Sequence, residues 1–436
     1  MLLRCVAPWA SVLALLSLLP GCLSAADDST GSSPSDSAPA GSQGVMDGSL
    51  QAGSYAAPPA CGASADALRE ASVNALALAR VGQPHADVGP KFVYAANQNS
   101  HDVSTYAVEV SGSLRAIGAP IGVGSSPEAI ALLPSGTGLF VANHGSNSVS
   151  GFKVDPMTGV LASTGAAIAT AAGGPTAIAV HPGGHFVYVG SDDATSRTPN
   201  MVTAYQVDLA TDGLTAVGAS NTDGAGLLAM SIDPSGRFLY AANALSDDLS
   251  VFSINPCSGA LSKVGTNVAS AFPVSLSIDP AGKFLYVAAG GSDPSIQTFG
   301  IDPSSGALET IEELKGVSLP WGLKALELDG TGKFLFVVTV GPAGASSVST
   351  FAVDPRTGIP SAVPGSSVAA GTSAVPVAID QSGRFAYIGN FGSNDISAYS
   401  LDRSTGTFTA IGTFPAGTAP GALAISSGPS LLVAAR

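Results

Sequence analysis

The chain has 436 residues, of which 11% are charged and 45% hydrophobic, with 53 glycines and 30 prolines. Many turn-forming residues and few charges indicate short strands joined by tight turns, so we predict an all-β protein. The formal charge of −14 comes from 17 basic against 31 acidic residues, which excludes a surface that neutralises nucleic-acid phosphates. We therefore expect no nucleic-acid partner, and no motif indicates a cofactor.

The first residues have the features of an export signal. Arg4 supplies a cation, a short apolar stretch follows, and small residues lead to Cys22. Because that stretch is too short to be a confident membrane span, we predict a signal peptide over residues 1–21 and an exported protein of the bacterial cell envelope. The sequence LPGC resembles a lipobox, in which Cys22 would carry the lipid that is the chain's one membrane attachment. Ordinary cleavage near Ala26, which would give a periplasmic or secreted protein, is the alternative.

Residues 22–61 are rich in Ser, Gly, Ala and Pro and have almost no large apolar side chain, which predicts a flexible tether. Residues 62–90 form a lead-in segment, in which Ser64–Val81 fits either a short helix or a strand. An exported protein permits a disulfide between Cys61 and Cys257, and two unpaired cysteines are the alternative. Neither cysteine has neighbours at metal-ligand spacing, so we predict no metal site.

From residue 91 to the C-terminus the chain repeats itself. Equivalent aromatic residues recur at intervals of 46 to 52 residues, at Tyr94, Phe140, Tyr188, Tyr240, Tyr286, Phe336 and Tyr387. A period of about 40 to 50 residues with strand patterning alone is typical of four-stranded propeller blades. We therefore predict that residues 91–436 form one domain, a seven-bladed β-propeller.

The third repeat shows the four predicted strands of a blade, TAIAV, HFVYVG, MVTAYQVD and LTAVG, over Thr176–Gly218. The turn between third and fourth strands recurs in forms such as DPMTG and DPRTG. In this pattern the Asp side chain can hydrogen-bond to the backbone two residues on, Pro presets its own φ angle, and the final Gly can adopt a positive φ. The pattern therefore indicates a tight turn and not a calcium-binding loop, because the EF-hand spacing of oxygen ligands is missing.

The first repeat begins at Lys91 without a first strand before it, whereas ALAIS (Ala422–Ser426) follows the seventh repeat. We predict that this C-terminal strand completes the N-terminal blade, closing the ring and removing exposed sheet edges. The tail SLLVAAR (Ser430–Arg436) resembles an extra second strand, and its position stays open.

The recurring unit P-x-x-I-A-x-x-P-x-G-[KR]-F-x-Y-[VA]-x-N, followed by S-N-x-[VI]-S-x-[FY]-x-[VIL]-D-P-x-T-G-x-L, resembles the β-propeller lactonase family. That family contains propeller-type 6-phosphogluconolactonases and carboxymuconate-cyclase-like proteins. LFVANHGSNSVS (Leu139–Ser150) and AYIGNFGSNDIS (Ala386–Ser397) also resemble the YVTN-type repeat of bacterial surface and periplasmic propellers. The resemblance covers about residues 90–436 and implies a central funnel.

Enzymes of this family are similar in carrying Arg, His and Glu around the funnel, with a Pro-Arg-His step at the start of a first strand and a Glu after a second strand. No Arg-His pair stands at any equivalent strand start here. The residues after the second strands are Asn97, Asn143, Ser191, Asn243, Ala289, Thr339 and Asn390. No catalytic residue is therefore assigned, and no nucleophile elbow, phosphate loop or HExxH motif is present.

Four residues at which the repeats differ are candidate ligand-binding residues. Glu128 and Lys324 begin equivalent first strands and would border the channel mouth, with a rim salt bridge or two solvated charges as the alternative. His144 follows Asn143 and could face the funnel. Asp192 opens the longer loop SDDATSRTPN, and loops of this kind often bind ligands. His181 and His185 flank the HPGG turn, where we expect solvated turn residues.

We expect a monomeric binding or interaction module in the cell envelope, whose partner is a small molecule, a carbohydrate or an envelope protein. The alternative is an active lactone hydrolase with a rearranged funnel site formed by Glu128, His144 and Lys324. Opening a lactone needs a base for water and donors for the developing oxyanion. A structural surface protein without a small ligand is the third possibility.

Overall fold

The computed structural model describes residues 90–170, 173–192, 200–315 and 322–427. The predicted signal peptide, tether and lead-in segment lie outside these residues, as do Cys22, Cys61 and the tail Ser430–Arg436, so those predictions stay untested. Within the described ranges the one helix is a 3-10 turn at Pro342–Gly344, and no helix there is long and apolar enough to cross a membrane.

All other regular structure in the described ranges is β-strand. In blades 1 to 3 the strands are β1 (Pro90–Asn97), β2 (Asp102–Val108), β3 (Leu114–Ala116), β4 (Ile121–Gly122), β5 (Pro127–Leu132), β6 (Gly138–Asn143), β7 (Ser148–Val154), β8 (Leu161–Ser163), β9 (Ile168–Ala169), β10 (Gly174–Val180), β11 (Phe186–Asp192), β12 (Met201–Asp208) and β13 (Gly213–Asn221). In blades 4 and 5 they are β14 (Leu227–Ile232), β15 (Phe238–Asn243), β16 (Asp248–Ile254), β17 (Leu261–Val268), β18 (Pro273–Ile278), β19 (Phe284–Ala289), β20 (Ser295–Ile301) and β21 (Leu308–Lys315). In blades 6 and 7, and closing blade 1, they are β22 (Gly322–Leu328), β23 (Phe334–Val340), β24 (Ser346–Val353), β25 (Pro360–Ala362), β26 (Val368–Ala369), β27 (Ala374–Ile379), β28 (Phe385–Asn390), β29 (Asp395–Leu401), β30 (Phe408–Pro415) and β31 (Pro420–Ser427).

These strands form seven antiparallel sheets, and within each sheet consecutive strands are neighbours. The first strands of the sheets, β5, β10, β14, β18, β22, β27 and β31, contact one another in a closed cycle and form the inner wall. The C-terminal β31 pairs with β1, with Ala424 opposite Tyr94. The predicted seven-bladed propeller, closed by a C-terminal strand in the N-terminal blade, is therefore confirmed.

The predicted fourth strands are continuous in four blades and interrupted in blades 1, 2 and 6, where β4, β9 and β26 pair separately with the third strand. Pro120 and Pro364 lie in two of the gaps, and Gly165, with φ of 145°, lies in the third. Proline cannot donate to the ladder and glycine weakens a strand, so the outermost strand breaks at these residues.

The repeated aromatic and glycine residues bond one blade to the next. Tyr240 of blade 4 is fully buried, and its hydroxyl donates to the carbonyl oxygen of Gly306 in blade 5 at 3.0 Å. Gly306 has φ of 75°, and a Cβ there would lie 2.4 Å from the Phe238 ring. Only glycine fits this turn, which explains the invariant ending of the D-P-x-T-G unit.

The same tyrosine-to-glycine bond joins four further pairs of blades: Tyr94 to Gly159, Tyr188 to Gly259, Tyr286 to Gly358, and Tyr387 to Gly112. The aspartate of the first turn has an equally local role. Asp233 Oδ1 accepts hydrogen bonds from the backbone N–H groups of Arg237 and Phe238, both at 2.7 Å. The segments that the repeats share thus fold and join blades.

Candidate ligand-binding site at the channel mouth

Each inner strand contains one β-bulge at the same place near its start. In β5, Pro127 pairs with Asn143 and Ala129 pairs with Ala142, so Glu128 is the extra residue. The bulged residues of blades 1 to 7 are, in that order, Gly421, Glu128, Thr176, Leu228, Val274, Lys324 and the pair Val375–Pro376. A bulge changes the direction of a side chain and often lies beside a functional site. Glu128 and Lys324 therefore occupy equivalent positions, as the sequence predicts.

A second set of equivalent residues lies four positions after the second-strand aromatic. In blades 1 to 7 these residues are Gln98, His144, Asp192, Ala244, Gly290, Val340 and Phe391. In blade 2 the backbone N–H of His144 donates to the carbonyl oxygen of Ser126, just before the inner strand, at 2.9 Å. The equivalent bond is made by Gln98, Ala244, Gly290 and Phe391.

These bonds hold the second set beside the bulges, at the edge where inner strands start and second strands end. Ser126 adopts φ of 48°, a left-handed conformation that a non-glycine residue keeps only when its surroundings fix it. We call the two sets together the mouth ring. Its backbone is repeated from blade to blade, and its side chains are not.

Glu128 is the centre of a polar cluster in this ring. Its Oε1 accepts a hydrogen bond from Gln98 Nε2 of blade 1 at 3.1 Å. His144 Nδ1 of blade 2 lies 3.9 Å from the same oxygen. The side chains of Glu128 and His144 are 26% and 33% exposed, so a ligand can reach both.

Asp192 completes the cluster from blade 3. It is the last residue of β11, and its carboxylate is close enough to Glu128 to act on it electrostatically. Asn200 is buried, and in the amide orientation that satisfies both of its ends it donates to Asp192 Oδ1 at 2.9 Å and accepts from the backbone N–H of Gly226 at 2.7 Å. The Asp192 carboxylate is therefore held in place from the next strand.

The surroundings of Glu128 raise the pKa of its carboxyl. Burial raises the pKa of the Glu128 carboxyl above its ordinary value, and Asp192 raises that pKa further. The imidazole of His144 and the hydrogen bond from Gln98 oppose these effects without cancelling them. A carboxyl with a raised pKa takes up a proton more readily than an exposed one. It accepts hydrogen bonds as a carboxylate and donates one when protonated, which suits a ligand hydroxyl or acid–base chemistry.

Lys324, the fourth predicted residue, is not part of the cluster. It lies in blade 6, its side chain is exposed, and among the described residues it forms no ion pair. The interpretation of Lys324 as a solvated charge therefore fits, and the rim salt bridge with Glu128 is not formed. For Glu128 the solvated interpretation is wrong, because the carboxyl is mostly buried and hydrogen-bonded.

The expectation that His181 is a solvated turn residue is also wrong. Its Nε2 lies 3.0 Å from the carbonyl oxygen of Gly236 in the next blade, and its Nδ1 accepts a hydrogen bond from the backbone N–H of Gly183. Burial lowers the pKa of His181, so a neutral imidazole joins two turns there. Cys257 is disulfide-bonded. Its predicted partner Cys61 lies outside the described residues, so that pairing stays a prediction.

A second carboxyl with a raised pKa lies deeper in the wall, at the half-buried Glu327 of β22. The equivalent residues of the other inner strands, each paired with the second-strand aromatic, are Ala131, Ala179, Ser231, Ser277, Ala378 and Ala424. Among the described residues Glu327 has no hydrogen-bond partner, and burial raises its pKa to about 7. One glutamate thus replaces a small side chain in one of seven equivalent positions.

Three residues of functional interest were not singled out by sequence reasoning. Gln98 is equivalent to His144 and Asp192, so comparing the repeats one residue beyond Asn97, Asn143 and Ser191 would have found it. Glu327 stands out as the one acidic residue in the strand LKALEL. Asn200 has no such signal, because its contact with Asp192 is seen only in the folded protein.

The fold and the mouth ring define a seven-bladed propeller with a polar cluster at one end of its channel, and comparisons with known proteins place it in a family. The family model described as "Lactonase, 7-bladed beta-propeller" matches residues 85–175, 166–278 and 359–436, more than half of the chain. The chain belongs to this lactonase family of propellers. A search of curated proteins gave no match.

Solved structures agree on the fold. A proposed 6-phosphogluconolactonase from Bacteroides fragilis is 19% identical with a TM-score of 0.67, and the similarity covers 79% of this chain and 100% of that chain. A periplasmic gluconolactonase from Pseudomonas aeruginosa is 20% identical with a TM-score of 0.66, over 78% of this chain and 99% of that chain. At these identities the likeness shows a shared fold and not a shared activity.

Proposed function

We propose that the protein is an exported, lipid-anchored propeller of the lactonase family that binds a small hydroxyl-bearing ligand, such as a carbohydrate, at the channel mouth. Export and anchoring rest on the signal-like N-terminus and the LPGC motif. The name of the Pseudomonas aeruginosa relative, a periplasmic gluconolactonase, supports an envelope location and a sugar-derived ligand by analogy.

One observation supports this function most directly, the convergence of Glu128, His144 and Asp192 from two blades, with the Gln98 amide of a third. Carboxyl, imidazole and amide groups offer both donors and acceptors, which is what a ligand with several hydroxyl groups requires. They lie in a partly buried opening, where such hydrogen bonds are worth more than on an open surface.

The test is calorimetric titration of residues 23–436, prepared with the Cys257 disulfide formed, against a panel of monosaccharides, sugar acids and sugar lactones. We expect one member to bind the protein, and Glu128→Gln to weaken it at least tenfold. Glu312→Gln changes an exposed glutamate of the outer strand β21 and is the matched control. Equal binding by all three proteins would contradict the proposal.

Lactone hydrolysis is the second candidate, because a glutamate with a raised pKa faces an imidazole at the mouth. In that reaction the Glu128 carboxylate would take a proton from water as the water oxygen attacks the lactone carbonyl. Gln98 and His144 would donate to the developing oxyanion, and the ring oxygen would leave with the proton. Turnover of sugar, muconate or acyl-homoserine lactones that is lost in Glu128→Ala and His144→Ala would establish the enzyme and exclude binding alone.

The anchor has a separate test. Radiolabelled palmitate should enter the wild-type protein in cells, and Cys22→Ala should abolish the label and release the protein from the membrane fraction. Labelling that persists in Cys22→Ala, or a wild-type protein without label, would leave ordinary signal cleavage as the mode of export.

A further inference from the structure

The chemistry of the mouth ring changes abruptly around the channel. Blades 1 to 3 contribute Gln98, Glu128, His144, Thr176 and Asp192, which we call the polar arc. Blades 4 to 7 contribute Leu228, Val274, Val340, Val375 and Phe391, together with alanine and glycine, which we call the apolar arc. Lys324 is the one charged residue of the ring on that side, and its exposed ammonium can stay in water while its stem covers apolar surface.

The apolar arc is accessible. The side chains of Leu228, Val274, Val340, Val375 and Phe391 are all partly exposed. On the same face of blade 4, Leu245 is 69% exposed and Val268 at the end of β17 is 84% exposed. Isolated exposed apolar residues are common, but several around one opening mark a binding surface.

The two arcs are close enough for one small molecule to contact both. Neighbouring inner strands approach within 8 Å between Cα atoms, and a regular heptagon with 8 Å sides is about 18 Å across. A ligand of sugar size with a chain of several carbons, held at Glu128, therefore reaches the opposite wall.

We propose that the ligand of the mouth is amphiphilic, with a hydroxyl-bearing or lactone head on the polar arc and an uncharged aliphatic chain against the apolar arc. This inference rests on the proposed function, because the polar arc must hold the head. It extends that function, because it gives blades 4 to 7 a role in binding the aliphatic part of the ligand. It also excludes a simple sugar as the complete ligand.

The experiment uses two homologous series, n-alkyl β-glucosides and γ-alkyl lactones, with chains of one to eight carbons below their micellar concentrations. Affinity for residues 23–436 is measured by calorimetry at each length. If the chain lies on the apolar arc, affinity should rise about two- to fourfold for each added methylene until the arc is covered, since burial of a methylene is favourable.

Three variants test where the aliphatic chain of the ligand lies. Val340→Ser and Val274→Ser put a polar group into the apolar arc from two different blades and should each flatten the increase of affinity with chain length. Val264→Ser changes a partly exposed residue of the outer strand β17 and should leave that increase as in the wild type. Circular dichroism checks that each variant is folded. If one of the two apolar-arc variants does not fold, the other still tests where the aliphatic chain lies.

The outcomes separate this inference from the proposed function. Affinity that is independent of chain length overturns the amphiphilic ligand and leaves the polar head site standing. An increase that is the same in both arc variants as in the wild type also overturns it, because the chain then lies elsewhere. No binding of any glucoside, sugar acid or lactone overturns both proposals.

Discussion

The polar arc and the apolar arc have the same backbone and opposite chemistry. His144 in blade 2 and Ala244 in blade 4 make the same backbone hydrogen bond, at 2.9 and 2.7 Å, to the residue before the inner strand. Glu128 and Leu228 are both bulged residues of inner strands. The comparison shows that a propeller fixes where a side chain lies, and that the difference between blades determines what it does.

The largest expected effect comes from exchanging residues between the arcs. Glu128→Leu places in blade 2 the side chain that blade 4 has at the equivalent position. We expect the affinity for the hydroxyl-bearing head to fall more than tenfold, because the hydrogen bonds between the head and the Glu128 carboxyl are lost, at roughly 0.5 to 1.5 kcal/mol each. Calorimetric titration of wild type and Glu128→Leu measures the two affinities.

The reverse exchange, Leu228→Glu, is the control for that prediction. It adds a carboxyl without an equivalent of Gln98 or His144 beside it, so no second head site should form. A binding stoichiometry of two in Leu228→Glu would mean that one carboxyl is sufficient and that the cluster around Glu128 has no special role.

The next effect distinguishes the two buried carboxyls. Burial raises the pKa of Glu327 from 4.5 to about 7, so the folded protein holds this proton more tightly than the unfolded chain does. The resulting stabilisation is complete below pH 4.5 and is lost as the pH rises through about 7. Glu327→Gln should therefore gain about 1 to 2 kcal/mol of stability relative to wild type at pH 8, after allowance for partial solvent exposure, and little at pH 4.

Urea unfolding of the two proteins at pH 4 and pH 8 measures this difference. Glu312→Gln, at an exposed position, should show no comparable pH dependence. The same stability difference between wild type and Glu327→Gln at both pH values would mean that the fold does not raise the pKa of Glu327.

A smaller effect tests whether the scaffold is the same in both halves. Tyr94→Phe in blade 1 and Tyr240→Phe in blade 4 each remove one hydroxyl that donates to a glycine carbonyl of the next blade. Each should lower the free energy of unfolding by about 1 kcal/mol. Tyr205→Phe is the control, since among the described residues that hydroxyl has no hydrogen-bond partner. Unequal losses at Tyr94 and Tyr240 would show that the halves differ in packing as well as chemistry.

The smallest effect is expected at Lys324. Its exposed side chain has no ion-pair partner among the described residues, so Lys324→Gln should change the free energy of unfolding by less than about 0.5 kcal/mol. Affinity for an uncharged ligand should change less than twofold. A larger loss of affinity would mean that the ligand carries an anionic group on the apolar side.

The fold could be predicted from the sequence because every repeat encodes the same strands and turns. The spacing of Tyr240 and its equivalents fixed the number of blades, and the missing first strand before Lys91 predicted the closure by ALAIS. The broken outer strands were not foreseen, because a strand at a sheet edge has partners on one side alone and is easily interrupted, as where proline cannot donate to the ladder.

The site was predicted in part, for a different reason. Glu128, His144 and Asp192 were identifiable as departures from the repeat, and their positions in the repeat placed them at the mouth. The Gln98 hydrogen bond and the approach of Asp192 to Glu128 depend on contacts between blades, and the support from Asn200 depends on a contact across a long loop, so no local pattern encodes them. Lys324 met the same criterion as Glu128 and lies apart, because equivalent positions in a ring are separated by the number of blades between them.

The antiparallel course of β1 gives the propeller a fixed orientation on its chain. β1 runs from Pro90 to Asn97 and ends at the mouth, so the polypeptide joins the ring on the opposite face. The disulfide-bonded Cys257 lies on that opposite face too, in the turn between β16 and β17. Attachments made to the ring at Pro90 or at the Cys257 turn are therefore on the face away from the mouth.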